Sequence, residues 1–458
     1  MNGMKNQSDW FDWRRAPCWQ QSIERFTRPE ILSRPPHLRR SPASAFGGYA
    51  CGMPASFAPV ATRLHPPAPL RDNIAADFLL DPSIAFLNHG SFGARPRVVL
   101  DAQDRRRSEF EARPIEWLDR RRNDMIARAK EAVAPVLGTS AQNMGFVTNA
   151  TGGINAVLRS LQFRAGDELL TTNHVYNAVR KTMQYLAHTA GAKYIEIDIP
   201  LPLKSDDQIV AAIEAALTPR TRVLLIDHIT SPTAIIFPVQ RIVEICNKRG
   251  VDVIIDGAHA PGMVRLNVEE IGAAYYSGNL HKWLCAPVGA GFLWVRPDRQ
   301  KGIHPTIISH FLDESFVNEF NWQGTRDITP WLCVEDSIAY LNGLGLDRVM
   351  KHNHQMATWV QAMLCERWNV QPATPLDGSM LGSMATVQLP HQDGLRKAFN
   401  DFLALREALY QKHRIEAPIV EWSGRWWVRP CCQVYNSPNQ YEMLADAIID
   451  LTQEGRRT

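Results

Sequence analysis

The chain reads as an α/β protein: a large domain on a mostly parallel sheet, followed by a smaller α+β C-terminal domain. Two patterns predict this. Between residues 144 and 256, short apolar runs alternate with stretches whose apolar residues recur at helical spacing, as expected of strands joined by crossover helices. Beyond about residue 335 that alternation stops, and helical and strand-like stretches no longer come in pairs. At 458 residues, 45% of them hydrophobic, the chain is long enough to bury a core of two parts. The expected division is a tail over 1–72, a large domain with an N-terminal arm over 73–334, and a small domain over 335–458.

The tail is rich in Arg, Pro and Ser and lacks the apolar core of a secretory signal. It is expected to be disordered; a transit peptide, or sequence upstream of an internal start at Met53, are the other readings. Residues 1–70 hold nine Lys/Arg against four Asp/Glu, so with a net charge of +3 the body is close to neutral. That balance argues against a nucleic-acid or membrane partner. No apolar run approaches the roughly 20 residues a membrane span needs. The eight cysteines show neither a CxxC pair nor Cys/His metal spacing. They read as the scattered thiols of a reduced, cytoplasmic protein without a metal site.

In chain order, helices are expected over Arg97–Arg113 and Asp119–Leu137, then a strand Met144–Val147. Thr148 to Gly153 reads as a turn into a helix Ile154–Leu161. Strands follow at Asp167–Thr172, Lys193–Ile197, Arg222–Asp227 and Val251–Asp256, with helices Ala178–Thr189, Ser205–Ala216 and Val239–Arg249 between them. A Gly-containing strand, Val288–Val295, comes next. The smaller domain reads as helices Val334–Asn342, Leu346–Trp368, Gly394–Lys412 and Gln440–Thr452 with strands at Ser383–Leu389 and Trp426–Val428. Ligands of parallel sheets collect at the carboxyl ends of the strands. The polar residues there are Thr151, Tyr176, Thr230, Ser231, Asp256 and His259.

The most informative stretch is Ser277-Gly278-Asn279-Leu280-His281-Lys282-Trp283-Leu284. A lysine between His281 and Trp283, in a run almost free of other charge, is not an ordinary solvated lysine. Lys282 is read as forming a Schiff base with pyridoxal 5'-phosphate, with Asp256 keeping the pyridine nitrogen protonated. Tyr176 would stack on the ring, and Thr151 and Gly152 would present a helix N-terminus to the phosphate. Each residue alone also has a plain structural reading: a cap, a turn or a packing residue.

The set resembles the class V aminotransferase group of fold-type I pyridoxal-phosphate enzymes. It is most similar to the isopenicillin N epimerase-like branch, which also holds cysteine desulfhydrases and ergothioneine C–S lyases. The resemblance spans about residues 73–455. It rests on Phe86 through Gly93, Asn149-Ala150-Thr151, Asp227 through Ser231, Asp256 through His259, Asn279 through Trp283, Gly324 through Asp327, and Arg429 through Asn436. It implies that Asn279 and His281 join Thr151 and Gly152 around the phosphate. His259, with Thr230 or Ser231, would lie near the ring hydroxyl. Gly324 and Thr325 would reach the other subunit's phosphate, making the active unit a homodimer with shared sites. Arg429 would clamp the substrate carboxylate, and Asn88 and His89 would line the substrate side.

The small-molecule amino-acid substrate would lose its Cα proton to Lys282. Epimerisation, release of a β-thiol and transamination can all follow. The expected reaction is of the isopenicillin N epimerase type, with a cysteine desulfhydrase or C–S lyase as the alternative. A non-catalytic regulator is the third reading, for which the body offers no helix-turn-helix or basic segment. A persulfide mechanism is discounted because the loop 371–384 contains no cysteine. Cys285 could in principle act as a second acid/base, but reads better as packing.

Overall fold

The computed structural model describes residues 64–457. Of the expected disordered tail over 1–72, residues 1–63 therefore lie outside the described residues, whereas Leu70, near its end, packs against the large core. Among the described residues twelve strands are present: β1 Ala85–Phe86, β2 Met144–Val147, β3 Glu168–Thr172, β4 Lys193–Ile197, β5 Thr221–Asp227, β6 Asp252–Gly257, β7 Tyr275–Asn279, β8 Gly291–Val295, β9 Val387–Gln388, β10 Ile415–Glu416, β11 Ile419–Trp422 and β12 Arg425–Val428.

Seven of them form the central sheet in the order β2-β8-β7-β6-β5-β3-β4. β8 runs antiparallel to both neighbours, and the other pairings are parallel. Helices cover both faces, so central strands such as β3 and β7 are buried throughout and need no polar alternation. Successive residues then point to opposite cores: Leu224 and Ile226 to one, Val223 and Leu225 to the other.

A second core gathers around the three-stranded sheet β11-β12-β9, with residues from the Leu346–Trp368 and Pro438–Arg457 helices. Three features differ from expectation. Val334, Ile338, Leu341, Leu344 and Val349 belong to the large core, so the change of core falls nearer residue 350 than 335. Ala85 and Leu87, expected with the large domain, sit in the smaller core because β1 pairs in parallel with β10. The expected single helix Gly394–Lys412 is two, Gln392–Ala398 and Phe402–His413. Asp401 caps the second by accepting from the Ala404 N–H at 2.8 Å. Among the described residues no helix is long and apolar enough to cross a membrane.

Candidate active site

The site forms where the carboxyl ends of β5, β6 and β7 meet the helix that follows β2. That helix runs Ala150–Ser160, starting four residues before its expected position. The glycines that looked like a turn are helical for a packing reason: a Cβ on Gly153 would sit 2.1 Å from the Ser277 hydroxyl of β7. Asn149 caps the helix, accepting from the Gly152 N–H at 2.8 Å. Asn279, at the end of β7, accepts from the Ala150 N–H at 2.8 Å. The lysine-bearing strand and the helix N-terminus are thereby joined.

A cavity of about 400 Å³ opens there. Its walls include Thr151, Tyr176, Ser231, Asp256, His259, Asn279, His281 and Lys282 of the expected set. They also include Ser91, Thr148, Asn149 and Asp227, to which no role at the site was assigned. Exposed Phe92 and Val288 form an apolar rim. Asp227 was detectable in principle, being an acid at a strand end in register with Asp256 across β5 and β6.

Burial dominates the electrostatics. Desolvation, then the Arg429 cation, push the Lys282 amine down to about 8, against the pull of Asp256, Cys431 and Asp227. Asp256 is raised to about 6 by burial, although it accepts the Ala258 N–H at 3.0 Å. Asp227 is raised further because it is buried and also faces Asp256. Of the pair, Asp227 holds its proton more tightly, leaving Asp256 as the carboxylate.

Several expected residues have different surroundings. The Thr230 hydroxyl turns inward to Thr233 and to the Ile235 N–H, and Thr230 is not part of the cavity wall. His89 is fully buried behind the lysine and corrects the expectation of a substrate contact. Its Nε2 lies 3.0 Å from the Lys282 carbonyl and its Nδ1 2.9 Å from the Tyr435 hydroxyl. Asn88 donates to Glu416 at 3.2 Å and accepts from the Ser91 hydroxyl at 2.5 Å. Gly324 and Thr325 do not reach this cavity; Gly324 has open space around it and Thr325 is exposed. Arg429 is buried, donates one N–H to the Ser231 carbonyl, and leaves its Nε without a partner. Cys285 is buried with its thiol pushed up to about 12, a poor proton donor or acceptor.

These residues fit pyridoxal phosphate. An amine and a carboxylate line one cavity, and Thr151 stands in the first helical turn, where backbone N–H groups lack intrahelical partners. His281 adds a condition. Its Nδ1 lies 2.9 Å from the Ala290 carbonyl, which can only accept, so the neutral ring turns a lone pair toward the cavity. It donates to a phosphate only when protonated, and its pKa here is lowered to about 4 by burial.

Residues 90–403 match the family Aminotransferase class-V. Isopenicillin N epimerase of Amycolatopsis lactamdurans is 32% identical over 391 residues, spanning 81% of this chain and 96% of that protein. L-cysteine desulfhydrase of Arabidopsis thaliana is 29% identical over 404 residues, spanning 81% and 88%. Among solved structures, the apo cysteine desulfurase of Thermococcus onnurineus superposes with a TM-score of 0.69 over 85% of this chain and 100% of that one, at 17% identity. That likeness fixes the fold, that of fold-type I pyridoxal-phosphate enzymes. The chain belongs to the class V aminotransferase family and is a pyridoxal-phosphate-dependent enzyme.

Proposed function

We propose that the enzyme removes the Cα proton of an α-amino acid and reprotonates Cα from the opposite face with a solvent-derived proton, an epimerisation of the isopenicillin N epimerase type. The observation that carries the proton step is the Lys282 amine, held near a pKa of about 8 in a cavity beside the buried Arg429. When bound, pyridoxal phosphate supplies an electron sink for the carbanion. The chain supplies the rest. Lys282 holds the cofactor and then serves as base at Cα; Asp256 keeps a negative charge beneath the pyridine nitrogen. Thr151 and Asn279 receive the phosphate, and His281 joins them once the phosphate's negative charge has drawn a proton onto its ring. Gly152 serves that cradle through its cap, because its N–H is already spent on Asn149. Tyr176, on the exposed side of the cavity, covers the ring, and Ser231 and His259 flank the ring hydroxyl. The unpartnered Nε of Arg429 supports a carboxylate clamp. Gly324 and Thr325 serve the partner's site in a cytoplasmic homodimer.

A second reading, release of a β-thiol from a cysteine-like substrate, is supported by desulfhydrases that cover as much of the chain as the epimerases do. A panel of amino acids incubated in D₂O decides. Deuterium at Cα with inversion and no sulfide supports the epimerase. Sulfide with a keto acid supports the lyase and overturns the first reading.

A further inference from the structure

Lys282 stands between two histidines whose other contacts determine which ring nitrogen carries the proton. At His259 the Trp283 indole N–H donates to Nδ1 at 3.3 Å. An indole nitrogen can only donate, so Nδ1 must be the lone pair and the neutral ring carries its hydrogen on Nε2. That Nε2 lies 3.3 Å from the Lys282 Nζ. The imidazole stays neutral chiefly because it is buried; any charge on Lys282 and the Arg429 cation act in the same direction. An ammonium at Lys282 would meet this N–H with another N–H. A neutral amine meets it with a lone pair.

We propose that Trp283 is a positioning residue: through its hydrogen bond it holds His259 as the Nε2–H tautomer, which favours the neutral, nucleophilic amine at Lys282. The proposal rests on the reading of Lys282 as the amine that takes up the cofactor. Other groups act on the same nitrogen: Asp256, Asp227 and Cys431 favour its charge, Arg429 opposes it, and His281 and His89 lie nearby. These act through distance alone; the His259 contact acts through the direction of a hydrogen bond. The indole is also held in place. It is buried and packs on the His89 ring, with centroids 4.7 Å apart. His89 is fixed in the same tautomer, since the Ala94 N–H donates to its Nδ1 at 3.3 Å and its Nε2–H then donates to the Lys282 carbonyl at 3.0 Å. One histidine thus positions the backbone of Lys282 and the other its amine.

The test follows uptake of pyridoxal phosphate by cofactor-free protein, by absorbance, from neutral to alkaline pH. Wild-type uptake should accelerate through a midpoint near 8. Trp283→Phe keeps an aromatic ring but frees His259 to carry its proton on Nδ1 and accept from the ammonium. The midpoint should then rise by about one pH unit, with uptake roughly tenfold slower below it. In a His259→Leu background Trp283→Phe should add no shift. An unchanged midpoint, or an equal shift without His259, overturns the proposal. Should Trp283→Phe not fold, ring ¹⁵N signals of wild-type His259, assigned by their loss in His259→Leu, decide: a proton on Nε2 is expected, and one on Nδ1 overturns it. Wild-type protein that took up no cofactor at Lys282 would instead sink the reading of the site, and the same ring signals would still settle the tautomer.

Discussion

The two ends of the central sheet treat the same residue type in opposite ways. At its amino ends, Glu168 of β3 and Asp252 of β6 meet guanidinium groups: Arg220 approaches Glu168 at 2.9 Å and Arg299 approaches Asp252 at 3.1 Å. At its carboxyl ends, Asp227 and Asp256 lie in register on adjacent strands and accept only backbone N–H bonds, from Tyr176, Ser231 and Ala258. Acids supplied with a cation by the fold hold the sheet together. Acids buried without one have raised proton affinity and suit a cationic ligand, which is what a protonated pyridine would be.

Substitution tells the two ends of the sheet apart, and the largest effect should come from the amine that the carboxyl-end acids face. Lys282→Ala should lower turnover by at least about 10³-fold and abolish covalent retention of pyridoxal phosphate, checked by product assay and mass of the denatured protein. Asp256→Asn removes the charge and keeps the shape. Turnover should fall by about 10²-fold. Wild-type cofactor retention should weaken as pH falls through about 6, where Asp256 takes up its proton, and equilibrium dialysis should find that acid limb missing in Asp256→Asn. Asp227→Asn mimics the protonated acid, so it should change cofactor affinity by less than about tenfold. A loss as large as that of Asp256→Asn would mean that the proton sits on the other carboxyl. The smallest effect belongs to the amino end: Asp252→Asn should cost under about 1 kcal/mol in thermal unfolding and leave cofactor binding unchanged.

Much of the fold was legible because buried parallel strands read as apolar runs, as Leu224–Asp227 and Val253–Asp256 do. β7 was not, although it carries the central motif: Tyr-Tyr-Ser-Gly-Asn has neither alternation nor a continuous apolar run. Its Ser277 hydroxyl is satisfied by the Phe292 carbonyl at 2.8 Å, and Gly278 lies too close to Phe292 for any side chain. In the site, Lys282 and Asp256 stood out by their company. Arg429 did not, because an arginine before a proline carries no local signal; only its burial with an unpartnered Nε marks it. The different tasks of His89 and His259 depend on which groups fold against their rings, and no spacing in the chain encodes that.

The lone carboxylates also tie folding to acidity. Because the fold raises Asp256 from 3.8 to about 6, this group holds more proton in the folded chain than in the unfolded one across that interval. Asp256 therefore contributes less stability to the cofactor-free protein as pH rises from about 4 to 6, the reverse of what a paired acid produces; the buried neutral histidines act in the opposite direction, so the loss is read as the difference between wild type and Asp256→Asn. A cation bound against Asp256 would cancel that loss and add its own mass-action stabilisation. The gap in melting temperature between loaded and empty protein should then widen as pH climbs through 6, making the cofactor a part of the fold's charge balance as well as of its chemistry.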